Sequence, residues 1–278
     1  MWNLISIELY KIFRKWRTYI GFLTLGVFVP IIQVSLLYNS DHLQESLTRN
    51  LQSIFIFEGN LLNGFFVGHM LLNSLIIHIP FLITLVLGDV LAGEASAGTY
   101  RMLLIRPVSR LKIVFAKFSA GIIYTFLFVL WLAIVSLGLG LLLFGRGELI
   151  VIRSEITILT RDDLFWRFAL AYLYAFLSMS LVASLAFFFS SIVSNAIGPI
   201  ISTMALIVSF LIISNLPLDI LKEAKPYFFT TYLNDWQLFF EQTLNMTAIL
   251  NAVAILSAHI AGLFLLTYYF FRRKDILT

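Results

Sequence analysis

Six long apolar stretches alternate along the chain with shorter polar ones, over residues 19–38, 61–91, 114–144, 164–189, 197–213 and 248–271. A helix needs roughly 20 apolar residues to cross the hydrocarbon of a bilayer, so each stretch is read as a membrane span. Pro30 and Pro80 fall inside the first and second spans and predict kinks. The second stretch is too long for one straight crossing, which predicts tilt, a kink or protrusion from the membrane. Lys117 lies near the start of the third, where a long side chain can snorkel to the interface. The fourth and fifth are joined by a tight polar link, residues 190–195, and the sixth is closed by Arg272, Arg273 and Lys274.

The polar segments have patterns of their own. In residues 1–17, Trp2, Ile5, Leu9, Ile12, Phe13 and Trp16 recur at helical spacing while Lys11, Arg14 and Lys15 project elsewhere, the pattern of an interfacial helix lying in the headgroup layer. Within 145–163, two β-branched runs, 149–152 and 156–159, flank Arg153-Ser154-Glu155 and predict a small β-hairpin. Thr160 stands three residues before Asp163, a capping-box-like start for the fourth span. In 215–245 the aromatic residues crowd: Tyr227, Phe228, Phe229, Tyr232, Trp236, Phe239 and Phe240. Such density suits the membrane–water boundary, and predicts short interfacial helices that form either a lid over a path or an aromatic belt.

Composition agrees with the membrane class. Of 278 residues, 60% are hydrophobic and 12% charged, against about 25% charged in ordinary soluble domains. Absence of Cys excludes disulfides, thiolate metal sites and cysteine nucleophiles. With the amino terminus inside and six alternating spans, 12 of the 19 Lys and Arg fall on the cytoplasmic side and 7 outside, as the positive-inside rule requires. The expectation is therefore an all-α integral membrane protein, multi-pass, with both termini cytoplasmic and segments 145–163 and 215–245 external.

One cytoplasmic segment, 93–110, differs from an ordinary basic loop. Glu94 and a run of small residues leave the membrane, Met102, Leu103 and Ile105 make an apolar helical turn among Arg101, Arg106 and Arg110, and Pro107 stops it. The arginines are the expected partners of Glu94. Glu94, Gly98, Thr99, Leu103, Leu104 and the phrase Arg106-Pro107-Val108-Ser109-Arg110 resemble the permease subunits of ABC-2-type exporters, with Tyr100 where Leu is more usual. The resemblance implies that Glu94, Gly98, Thr99, Arg101, Met102, Leu103, Arg106, Pro107 and Arg110 form a coupling helix that docks on a separate ABC ATPase subunit. It also implies an amino-terminal elbow helix, outer helices between spans five and six, and a second permease chain, identical or related. The sequence has no G-x-x-x-x-G-K-[ST] phosphate loop, so ATP and Mg belong on that partner and no cofactor on this chain. Lipid is the other expected partner; nucleic acid is not.

Polar residues inside spans mark paths through membranes or bonds between helices. Gln33, His69, Asn73 and His78 are the candidate pathway residues, followed by Asn195 and His259. Asp89 lies near the cytoplasmic end of its span, where water is expected to reach it. Two other classes stay open: a non-transporting scaffold built on the permease architecture, and an intramembrane enzyme. Against the enzyme stand the absence of an H-E-x-x-H or Gly-x-Ser-x-Gly pattern and the nine-residue spacing of His69 and His78, which puts them on different helix faces.

Overall fold

A computed structural model describes residues 1–48, 61–99, 108–152, 156–216, 223 and 225–273. Helix α1 (Trp2–Arg14) ends where Lys15 turns extended, and α2 (Trp16–Tyr38) begins the first span at once. The Thr18 hydroxyl donates to the Ile12 carbonyl across this joint. A short helix α3 (Ser40–Thr48) follows.

The second apolar stretch is broken rather than merely kinked. It comprises α4 (Gly64–Leu75), α5 (Ile79–Leu87) and α6 (Asp89–Ser96). The first break, at 76–78, immediately precedes Pro80, which occupies the first turn of α5, where a missing N–H costs nothing. The second break falls at Gly88. The third span is α7 (Arg110–Ala133), a π-helical turn (Ile134–Gly138) and α8 (Leu139–Phe144). Gly145 then leaves the helix with a φ of 71°, a left-handed value that favours glycine.

Strands β1 (Leu149–Ile152) and β2 (Ile156–Leu159) form the expected hairpin, paired antiparallel with Leu149 opposite Leu159 and Ile150 opposite Ile158. Leu149, Val151 and Leu159 face inward. Helix α9 (Arg161–Ile192) starts at Thr160, whose side chain makes no cap bond, so the expected capping box is not formed. Helix α10 is Gly198–Asn215, α11 is Phe229–Tyr232 between two 3-10 turns (Lys225–Tyr227 and Asp235–Phe240), and α12 is Met246–Arg273.

Among the described residues, with α5 and α6 taken together and α7 and α8 likewise, five helical runs are long and apolar enough to cross a membrane: Trp16–Tyr38, Ile79–Ser96, Arg110–Phe144, Arg161–Ile192 and Met246–Arg273. Gly64–Leu75 and Gly198–Ser214 are shorter apolar helices. Helix α9 is the central post. It packs on α5, α6, α7, α10 and α12, and Phe168, Ala171, Leu181, Val182 and Phe187 on it are buried. Where α4 crosses α8, a Cβ on Gly64 would collide with the backbone of Gly140 and Leu141, so the crossing depends on glycine. One end of the bundle carries the hairpin; the other carries Glu94, Arg110 and Arg272 and is called here the basic end.

Candidate functional site

At the basic end, α1, α6 and α7 meet around four charged groups. Lys117 Nζ lies 2.7 Å from Glu94 Oε1 and 2.7 Å from Glu8 Oε2. Lys11 Nζ lies 2.8 Å from Glu8 Oε1 and 3.0 Å from Glu94 Oε1. Two carboxylates and two ammonium groups thus alternate in a neutral cluster. Lys117 is only 1% exposed. It does not snorkel, because two carboxylates come to it, and an apolar interior tolerates charge only when paired. Burial pulls Lys11 down, yet Glu8 and Glu94 outweigh it and hold Lys11 above the ordinary lysine pKa.

Among the described residues, the partners of Glu94 are therefore Lys11 and Lys117. Arg110 donates instead to the carbonyls of Phe271 and Arg272 at the end of α12, at 3.4 and 2.6 Å. Arg101, Met102, Leu103, Arg106 and Pro107 lie outside the described residues. Glu8 is the member that the hydrophobic pattern concealed. It sits between Ile5 and Ile12 on the apolar stripe, and a carboxylate in the middle of such a stripe was the available signal.

A second ionic contact lies nearby. Asp89, 6% exposed, accepts from Lys15 Nζ at 2.7 Å and pairs with Arg17 Nη1 at 3.3 Å. Asp89 is buried and paired where sequence placed it in reach of water, because the joint between α1 and α2 folds over it. Ser190 at the end of α9 adds a neutral stitch. Its hydroxyl donates to Gly88 O at 2.6 Å and accepts from the N–H groups of Leu91 and Ala92 at 3.0 and 2.8 Å. The break between α5 and α6 is thereby closed by a side chain from another span.

Helix α6 ends in a left-handed residue, Gly98, with φ 65°. Gly98 N–H donates to Ala95 O and Thr99 N–H to Glu94 O, both at 3.1 Å, and the Thr99 hydroxyl also donates to Glu94 O at 3.2 Å. This is the Schellman arrangement that ends many helices. It accounts for Gly98, whose left-handed φ the motif requires, while the Glu94 carboxylate is held inward by Lys11 and Lys117. Beside the cluster lies a half-open cavity of about 590 Å3, walled by Leu4, Ile7, Ile12, Val90, Val108 and Ile113 with Lys11, Arg14 and Lys15 on its lining.

The candidate pathway residues do not converge. Gln33 is fully buried and donates to Ser136 O at 2.7 Å and Val135 O at 3.3 Å, carbonyls that the π-helical turn presents sideways. It ties span one to span three. His69 packs on Trp236 and Phe240, with centroids 5.4 and 4.9 Å away. Asn73 accepts from Gln237 Nε2 at 2.6 Å. His78 is exposed at the first break of span two, its Nδ1–H donating to Ser74 O at 3.0 Å. Asn195 caps the start of α10 through Gly198 N–H, and His259 bonds the Ile255 carbonyl within its own helix.

At the hairpin end the aromatic segment folds back onto the bundle. Trp236 and Phe239 are buried, whereas Tyr227 is 78% exposed. Phe228 packs on Phe210 with centroids 5.0 Å apart, and the Tyr232 hydroxyl donates to Pro226 O at 2.7 Å. Arg167, buried in α9, holds the end of the second 3-10 turn by donating to the carbonyls of Phe239 and Glu241 at 2.8 and 2.7 Å. Tyr174 donates to Tyr232 O at 2.7 Å. Neither Arg167 nor Tyr174 stood out in the sequence, since each reads as one polar residue in an apolar helix.

Comparison with known proteins adds the family. The uncharacterized protein YhcI of Bacillus subtilis (strain 168) is 30% identical over 118 residues, 40% of this chain and 37% of that protein. The matched part thus spans little more than a third of that relative's length. The family described as ABC-2 family transporter protein matches residues 2–276. With several apolar helices long enough to cross a bilayer and a match running nearly from end to end, the chain belongs to the ABC-2 transporter family, as a multi-pass membrane component of the permease type.

Proposed function

We propose that this chain is the permease subunit of an ATP-driven exporter, working as a pair of permease chains with a separate ABC ATPase that binds MgATP. In this reading six spans cross a prokaryotic cytoplasmic membrane, both termini and the basic end are cytoplasmic, and α11 with its flanking turns caps the outer side. The observation that carries it is the cluster of Glu8, Lys11, Glu94 and Lys117. These groups fasten the start of segment 93–110 to the amino-terminal helix and to span three at distances of 2.7–3.0 Å. A push on the segment beyond Gly98 is then delivered to several spans together, the rigid contact that alternating access needs. Asp89 and Ser190 extend the same fastening to the start of span one and the end of span four.

The test is the complex reconstituted in liposomes. In Glu94→Gln the ATPase should copurify as it does with the wild type, while MgATP no longer changes the thiol reactivity of a cysteine placed at Asn73. Replacing Met102 and Leu103 together by Asp should lose the ATPase itself. An unaltered MgATP response in the first variant and full ATPase retention in the second would overturn the coupling role. A wild-type complex that binds the ATPase but shows no MgATP response would favour a scaffold.

A further inference from the structure

Between α7 and α12, on the outer surface of the bundle, runs a groove of about 320 Å3 that shares no lining residue with the ionic cluster. Phe115 and Phe118 line it from α7, Ser257, Ala261 and Phe264 from α12, and Leu177 from α9. The Phe264 ring stands 5.0 Å from that of Phe118 and 6.2 Å from that of Phe115, so the walls are aromatic edges and faces. Toward the basic end, both walls finish in cations on the same helical stripe. Lys112 precedes Phe115 by one turn, and Arg272 follows Phe264 by about two turns. Both are exposed. Neither α7 nor α12 contains an acidic residue.

The last carbonyls of α12 would repel an anion, being the negative end of a helix dipole. Arg110 covers two of them with its guanidinium. The mouth of the groove is thus positive on both sides. From Ser257 to Arg272 the helix rises about 22 Å, enough to take in one leaflet, whose hydrocarbon is roughly 15 Å thick.

We propose that this groove is a binding site for an acidic phospholipid, one acyl chain lying between the aromatic walls and the phosphate headgroup held by Lys112 and Arg272. A zwitterionic lipid would fill the groove but leave the cations uncompensated by net charge, and free phosphate would leave the groove unfilled. The combination selects an anionic head on an apolar chain, as basic pockets between membrane helices do. The site is independent of transport direction and of the ATPase.

The experiment uses the purified full-length chain in detergent, incubated with equal amounts of dioleoylphosphatidylglycerol and dioleoylphosphatidylcholine and read by native mass spectrometry. Each cation should favour the acidic lipid about fivefold, so the wild type should prefer it by about 25-fold. Lys112→Gln with Arg272→Gln should abolish that preference while still retaining lipid. Ala261→Trp, an outward-facing change that fills the groove without touching the charges, should reduce retention of both lipids. Equal retention of the two lipids by the wild type, an undiminished preference in the double variant, or wild-type retention in Ala261→Trp would each overturn the proposal.

Discussion

Lys117 is the side chain on which the basic end depends most. Its ammonium group answers two carboxylates from two different helices while nearly all of its surface is hidden. Removing one member of a buried ionic group leaves the others uncompensated, a loss of about 3–5 kcal/mol. Lys117→Met should therefore lower the unfolding temperature of the purified chain in detergent sharply. Adding Glu8→Gln should restore part of it, because one orphaned charge disappears. If the double variant is no better than the single one, the cluster is not coupled as the distances indicate. Gly98 is the other sensitive position. Its φ of 65° costs an alanine about 1 kcal/mol, and the change would also misdirect the exit of the chain from α6. Gly98→Ala should keep insertion but weaken ATPase copurification. Glu94, Gly98 and Thr99 stood out in sequence through their resemblance to the permease motif, and the helix stop they form was not read from the residues themselves. Glu8 and Lys117 were not read as partners, because 109 residues separate them and nothing local announces the meeting.

Among the elements, the second and third spans show how far hydrophobic pattern can be read. Apolar length alone foretold that residues 61–91 could not be one straight helix, and Pro80 foretold roughly where it fails. The break at Gly88 was hidden, since its stabilising partner, Ser190, comes from a distant span. Ser190→Ala leaves the Gly88 carbonyl and two N–H groups without that partner, at a cost of about 1–3 kcal/mol. Hydrogen exchange at the Leu91 and Ala92 amides should then accelerate relative to the wild type; unchanged protection would mean that the stitch contributes nothing. The π-helical turn was equally invisible, because the run Ile134–Gly138 is apolar like its neighbours. The hairpin was legible by contrast: two β-branched runs around a polar triplet specify strand pairing locally.

For the whole molecule, the distribution of basic residues and the family together set the expected orientation, with the hairpin end outside. Cysteines replacing Arg161 and Thr243 should react with a membrane-impermeant thiol reagent in intact cells, and cysteines replacing Ser96 and Lys112 should react only after permeabilisation. The opposite pattern would invert the protein and remove the ATPase from reach of residues 93–110. The aromatic segment at the hairpin end is fastened by Arg167 and Tyr174 to the central post α9. If it closes a path, Arg167→Ala should let labels at Tyr227 move without a change in overall fold.

The long sequence separations in the ionic cluster also have a consequence in time. Glu8 and Lys11 leave the ribosome ahead of their partners: Glu94 follows Lys11 by 83 residues and Lys117 follows Glu8 by 109. At roughly 5–20 residues per second, α1 waits several seconds for its partners. During that interval Glu8 and Lys11, one helical turn apart, can pair with each other. Helix α1 is thus made well before the groups that seat it, and its ionic docking waits until Lys117 at the start of the third span has been synthesised.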